Sequence, residues 1–269
     1  MTLVLSGFSV FEWGVVDART EQVLTFKPMP HPEVKEPVIY FYGDIPKRLK
    51  VKPLFPLSMI LQADPDPVKN QWVVKPAGDD TLLDSRWRDP AAQKVLINGY
   101  PEDYLFYEAR LKNFKQTLFV EHDEKGNLFL HNAGDFPVFD VMCVFDTEKG
   151  IKAALFKVVE PGQKLRINPC CQPTERVGIE ALMALGFTKG AAQAFVDEWW
   201  YEFTLYFEEN KFDTADEEGS ETEESPDTSF GFLKMSYRLP QSEIDRLMPL
   251  RITPKPQSFT RAWWVLVQP

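Results

Sequence analysis

Twenty-two prolines punctuate this chain, and sixteen of them lie before residue 175. Proline has no N–H to donate and its ring clashes with the carbonyl four residues back, so the interior of a long helix is closed to it. What remains for the first two-thirds is short extended segments divided by turns. The stretches between the prolines suit that reading. Residues 38–42, 49–53, 72–75, 104–111, 117–122, 128–131, 138–145, 152–159 and 164–167 are rich in β-branched and aromatic residues and bordered by Gly, Pro, Asp or Asn, which predicts strands. In FVEHDEKGNLFLHN, Lys125, Gly126 and Asn127 supply a tight hairpin turn. Residues 132–168 read as a meander like part of an immunoglobulin-like sandwich.

PVIYFY at 37–42 lacks polar alternation, so this strand is expected to be covered on both faces and to belong to the core.

The helical exception begins at Thr174. TERVGIEALMALG predicts a helix with Thr174 as N-cap and Gly186 just past its end, and a second helix starts at Thr188. In the second, Ala192, Phe195, Val196, Trp199, Phe203 and Phe207 recur at helical spacing and form one apolar face. The pair is similar to the first two helices of a ubiquitin-associated domain, with Leu185-Gly186-Phe187 as the loop, although an acidic run stands where the third helix would be.

Residues 230–240 read as a strand, 242–250 as a helical turn and 251–269 as a closing strand. In that strand Arg261, Trp263, Val265 and Val267 face one way and Trp264 and Leu266 the other. The fold class expected is α+β, predominantly β, with antiparallel sandwich-like sheets, a helical pair and a disordered acidic loop. Residues 1–120 plus 229–269 would form the main domain, 121–173 an immunoglobulin-like meander module, 174–208 the helical pair and 209–228 the loop.

Charge narrows the partners. The net charge is −10, yet DTADEEGSETEESPD at 213–227 holds eight acids and no Lys or Arg, leaving the rest of the chain at −10 + 8 = −2. No basic stripe exists to neutralise phosphates, which argues against nucleic acid. The acidic run is too polar and too charged to bury surface, and a basic protein is the partner it would attract. Three cysteines, Cys143, Cys170 and Cys171, are too few for a disulfide framework and lack the spacing of a structural zinc site, which suits a reducing compartment. Adjacent Cys170 and Cys171 could close only into a strained ring and read as ordinary loop residues. The start carries no basic n-region or cleavage site, and no apolar run is long enough to cross a bilayer, so neither export nor a membrane is expected.

No phosphate loop, HExxH helix, nucleophile elbow or EF-hand can be found. The three histidines, His31, His122 and His131, are dispersed, so no metal and no cofactor is expected. The catalytic candidates are two carboxylates. Glu108 shares a strand face with Tyr104 and Phe106, where aromatic company can raise its pKa, and Glu12 has similar neighbours in Phe11 and Trp13. If their strands adjoin, the two can act as acid and base on a glycoside or an ester. The binding candidates are Trp200 and Trp264, because neighbouring indoles point apart and one of each Trp pair should reach the surface. Asp216, Glu217, Glu218, Glu221, Glu223 and Glu224 of the acidic run join them.

Four stretches occur in an order that resembles an uncharacterised bacterial family opening with a KPVIYLYP-type signature. They are EPVIYFYGD at 36–44, YLFYEA at 104–109, LGFTKGAAQAFVDEWW at 185–200 and ITPKPQSFTRAWWVLV at 252–267. Glu36 and Gly43 depart from the signature, and the meander at 132–168 looks like an addition. The resemblance implies a shared β-rich scaffold and no assigned reaction. Many members of that family look exported or lipid-anchored, and the start of this chain does not. Together these observations favour a cytoplasmic, non-enzymatic protein that binds other proteins, as a regulatory or accessory subunit. The alternative is a carboxylate-dependent hydrolase using Glu12 and Glu108. Oligomeric state is not legible.

Overall fold

The unbroken run of apolar residues after Pro37 is the middle of a long strand whose side chains are buried on both sides. In a computed structural model, which describes residues 7–18, 32–78, 85–147, 149–204 and 233–267, Val38, Ile39, Tyr40 and Phe41 are all fully buried. The strands in chain order are β1 (Phe8–Asp17), β2 (Glu33–Gly43), β3 (Leu49–Pro53), β4 (Ile60–Asp64), β5 (Trp72–Pro76), β6 (Val95–Ile97), β7 (Tyr100–Glu102) and β8 (Leu105–Arg110). They continue with β9 (Leu118–His122), β10 (Leu128–Asn132), β11 (Val138–Phe145), β12 (Lys152–Val159), β13 (Lys164–Arg166), β14 (Leu233–Arg238), β15 (Leu250–Thr253) and β16 (Ser258–Val267). The helices are α1 (Glu175–Ala184), α2 (Lys189–Thr204) and α3 (Gln241–Leu247).

One eight-stranded sheet runs β12-β11-β14-β16-β1-β2-β8-β4, beside a five-stranded sheet β15-β3-β5-β6-β7 and a three-stranded sheet β13-β10-β9. Every described pairing is antiparallel except β1 with β16, which lie side by side and parallel at the centre of the large sheet. The sandwich-like, predominantly β architecture is the one expected. The last strand does return to the first. It starts later than expected, however, since Pro254 and Pro256 cannot donate to a ladder and divide residues 251–269 into β15 and β16. Residues 121–173 do not close into a sheet of their own: β11 and β12 extend the large sheet, while β10 and β13 pair with β9.

Strand alternation gives the large sheet two apolar faces, and each finds a cover. Val10, Ile39, Tyr107, Trp263 and Val265 pack with Leu49, Val51, Trp72 and Val74 of the five-stranded sheet and with Ile244 and Leu247 of α3. Trp13, Val38, Tyr40, Met142, Trp264 and Leu266 pack on the other face with Leu182 of α1 and Phe195, Val196, Trp199 and Phe203 of α2. The helical face of α2 is thus consumed in covering the sheet, and Phe207, expected on it, lies outside the described residues.

The two helix starts differ. Thr188 accepts the Ala191 N–H on its hydroxyl at 3.1 Å, as an N-cap should, and its own hydroxyl donates to the buried Asp89. Thr174 makes no such side-chain bond. Gly186 adopts φ +93, the left-handed turn that ends α1.

Candidate functional site

Glu12 stands directly across from Arg261 on the two central parallel strands. Both are buried, at 0% and 1% exposure. Arg261 reaches the carboxylate with two nitrogens, Nε to Oε2 and Nη2 to Oε1, each at 2.9 Å. Oε1 also accepts from the Tyr107 hydroxyl at 2.9 Å and from Trp263 Nε1 at 3.0 Å. The remaining guanidinium nitrogen, Nη1, donates to Met248 O at 2.7 Å and to Asp245 Oδ1 at 3.1 Å. Burial, and then the Glu12 charge, push the Tyr107 hydroxyl well above its ordinary range, so it stays a donor. A carboxylate this fully satisfied, with no solvent path, joins strands and is closed to substrate.

Glu108 is elsewhere. Tyr107 points at Glu12, so Glu108, next along β8, points to the opposite face of the large sheet, with β2 standing between β1 and β8. The sequence-based pairing of Glu12 with Glu108 as acid and base is therefore corrected: the sheet separates them. Burial does raise the Glu108 carboxyl, as its aromatic neighbours imply, with Lys35 opposing.

The carboxylate that meets a partner is one the sequence reading passed over. Glu36 sits in a register shift of β2 between Val34 and Val38, with φ +51, a left-handed conformation that a non-glycine residue adopts only under constraint. Burial first, and then the Glu198 charge, raise its carboxyl to about 7. Its Oε2 is buried with no donor facing it. Burial beside the Glu198 charge favours the protonated form of Glu36. Glu198 is itself fixed by Arg86 Nη2 and by Trp87 Nε1, each at 2.7 Å. The raised carboxyl marks Glu36 as a perturbed group, while Arg86 and Trp87 tie Glu198, and with it α2, to the loop before β6.

The two binding indoles diverge from expectation. Trp264 is not at the surface: it is 4% exposed because α2 covers it, with the Phe195 ring 4.8 Å away. Trp200 is half-buried on the last turn of α2. The structure nonetheless brings the two together, as walls of one small cleft with Val177, Phe203, Met142 and Asp140. Its volume is about 20 Å³, room for one water-sized occupant. Asp140, at φ +47 beside a register shift in β11, holds Arg238 Nε at 2.7 Å, and that guanidinium lies over Phe139. Beside the cleft, Leu155 is 40% exposed on β12, opposite Met142 and hence on the same face of the sheet. The acidic residues Asp216, Glu217, Glu218, Glu221, Glu223 and Glu224 lie outside the described residues.

In the hairpin, His122 pairs with Leu128 and His131 with Phe119, so the two imidazoles are not opposite one another. His131 Nδ1 is 2.8 Å from Glu121 Oε1. Among the described residues no group of three or more His, Cys, Asp or Glu could hold a metal ion, and no helix is long and apolar enough to cross a membrane.

Sequence reasoning had one available signal for the buried pair. FEWG and TRAWWVLV each carry a single charge in an apolar strand, of opposite sign, and a lone charge in such a setting calls for a partner. Nothing local marked Glu36 and Glu198, which 161 intervening residues separate.

No family model and no curated protein matches the chain. Among solved structures it is similar to the yeast delta-COP-I mu-homology domain complexed with a Dsl1 WxWxV peptide, at TM-score 0.37 and 6% identity over 97% of this chain and 95% of that one. It is also similar to a second structure of the yeast delta-COP-I mu-homology domain, at TM-score 0.34 and 6% identity over the same shares. Likeness at this level establishes neither a common fold nor a common function.

Proposed function

We propose that this chain is a non-enzymatic protein-binding protein, acting in the cytoplasm as a regulatory or accessory subunit, whose partner is a peptide segment with an apolar anchor flanked by Lys and Arg. The observation that carries the reading is Leu155, which is open to solvent on β12 beside the Trp200 cleft while the neighbouring sheet is covered by helix. The acidic run supports the sign of the partner. The chain leaves the described structure at Thr204, one residue past Phe203 of the cleft wall, and re-enters in β14, whose Ser236 also lines it. The stretch between Thr204 and Leu233 carries ten Asp and Glu, eight of them within 213–227, and it would draw in a basic sequence and speed encounter.

The test is fluorescence anisotropy of the full chain with a defined peptide bearing one Leu or Phe between lysines, against the same peptide with glutamates. Binding of the lysine peptide that weakens with salt is the expected result. Trp200→Ala or Leu155→Lys should remove it, and neutralising Asp216, Glu217, Glu218, Glu221, Glu223 and Glu224 should slow association. Equal binding of the glutamate peptide, or full retention in both Trp200→Ala and Leu155→Lys, overturns the proposal.

A further inference from the structure

Cys170 and Cys171 lie between β13 and α1, where the chain passes the outer edge of β12. Ala153 and Cys171 form an isolated antiparallel bridge there. The Ala153 N–H donates to Cys171 O at 2.7 Å, and Ala153 O accepts the N–H groups of Cys170 and Cys171 at 3.0 and 3.3 Å. Both thiols turn to that same oxygen, with Cys170 Sγ at 3.9 Å and Cys171 Sγ at 3.4 Å. The two thiols lie close enough that, after burial, Cys170 raises the Cys171 thiol above its ordinary range. A carbonyl oxygen has two lone pairs, and the two backbone N–H groups already meet them. The thiols are left as weak additional donors, side by side and weakly held. Cys170 is exposed and Cys171 half-buried, whereas Cys143 is buried inside the large sheet.

We propose that Cys170 and Cys171 form a dithiol binding site for a soft, trivalent metalloid of the arsenical class, held by two sulfur–arsenic bonds. Thiol sulfur selects soft acceptors. Zinc, which takes four ligands, is a poor match for two sulfurs, since no third His, Cys, Asp or Glu joins them among the described residues. Burial, and then Cys170 itself, hold the Cys171 thiol above its ordinary range. That slows oxidation by peroxide or disulfide, which proceeds through the thiolate. Condensation with an arsenous oxide uses the thiols as they stand. Two S–H bonds and the arsenic–oxygen double bond break, two S–As bonds form, and the oxygen leaves with both protons as water. No atom changes oxidation state, and no further reagent is needed.

Phenylarsine oxide is the probe. Native mass spectrometry of the full chain should show one arsenical bound per chain, retained against excess monothiol and stripped by ethanedithiol. Loss of either sulfur removes the chelate advantage, so Cys170→Ser and Cys171→Ser should each weaken binding by about a hundredfold or more. Cys143→Ser should bind like the parent. On the unmutated chain, one equivalent of the probe should block alkylation of both Cys170 and Cys171 by iodoacetamide, a readout that needs no variant to fold. Binding undiminished in either serine variant, or alkylation of both thiols continuing in the presence of the probe, overturns the proposal.

Discussion

Glu12 and Arg261, 249 positions apart in sequence, form a two-pronged ion pair from which solvent is excluded, at the junction of the two central strands. Removing one partner strands a charge in the interior, whereas removing both takes away the charges and leaves the Tyr107 hydroxyl and Trp263 Nε1 without their acceptor. Arg261→Met should therefore cost about 3–5 kcal/mol. The double change Glu12→Leu with Arg261→Met should recover part of that loss, with the orphaned Tyr107 and Trp263 donors keeping it below the parent. Urea denaturation of the parent, the single and the double variant checks it, and a double variant no more stable than the single would show that the pair itself is indispensable.

Ile39 is fully buried in β2, between β1 and β8. An aspartate there would stand beside the buried Glu12, whose Arg261 is already committed, so Ile39→Asp should abolish soluble expression. Ile39→Val removes one methylene and should cost about 0.5–1.5 kcal/mol. Soluble yield and a thermal melt read the two outcomes.

Trp264 and Trp200 share a cleft but not an energetic role. Trp264→Ala empties a site roofed by α2 and should cost about 3–5 kcal/mol. Trp200→Ala, at a half-buried position, should cost on the order of 1 kcal/mol. Stability curves therefore separate the core indole from the one at the surface, and comparable losses would place Trp200 in the core.

Glu36 makes stability fall as pH rises across a defined window. Its carboxyl is raised from 4.5 to about 7, so between those values the folded chain keeps a proton that the unfolded chain has released. The contribution is fully present below 4.5 and lost by the time pH passes 7. Glu36→Gln should flatten that slope and be more stable than the parent at pH 8. Glu102, raised to about 7 chiefly by burial, contributes with the same sign and keeps part of the slope in the variant. Chemical denaturation at pH 4.5, 6 and 8 measures it, and a variant with the parent's full slope would rule out Glu36 as its source.

What the sequence reveals about this molecule tracks how local each determinant is. PVIYFY carries its own burial, because alternation is absent within six residues. Thr188, Gly186 and the periodic face of α2 are likewise marked within a turn or two. β4, β6 and β7 escape because they are only three to five residues long, too short for an alternation to show. Burial of Trp264 depends on a helix about 60 residues upstream folding over it, which a strand pattern cannot express. The Glu12–Glu108 reading failed for a related reason. Alternation gives the face of each side chain within its own strand, and only the order β1-β2-β8 shows that those faces are opposed.

The parallel pairing of β1 with β16 also bears on how the protein is made. β16 lies in the middle of the large sheet, between β14 and β1, yet its residues leave the ribosome after those of every other described strand. Until residue 267 has emerged, β1 has an unpaired inner edge, and β11, β12 and β14 have no hydrogen-bonded link to β1 and β2. The large sheet is therefore completed only in a late step that joins its two halves, and shielding of their open edges matters most until then.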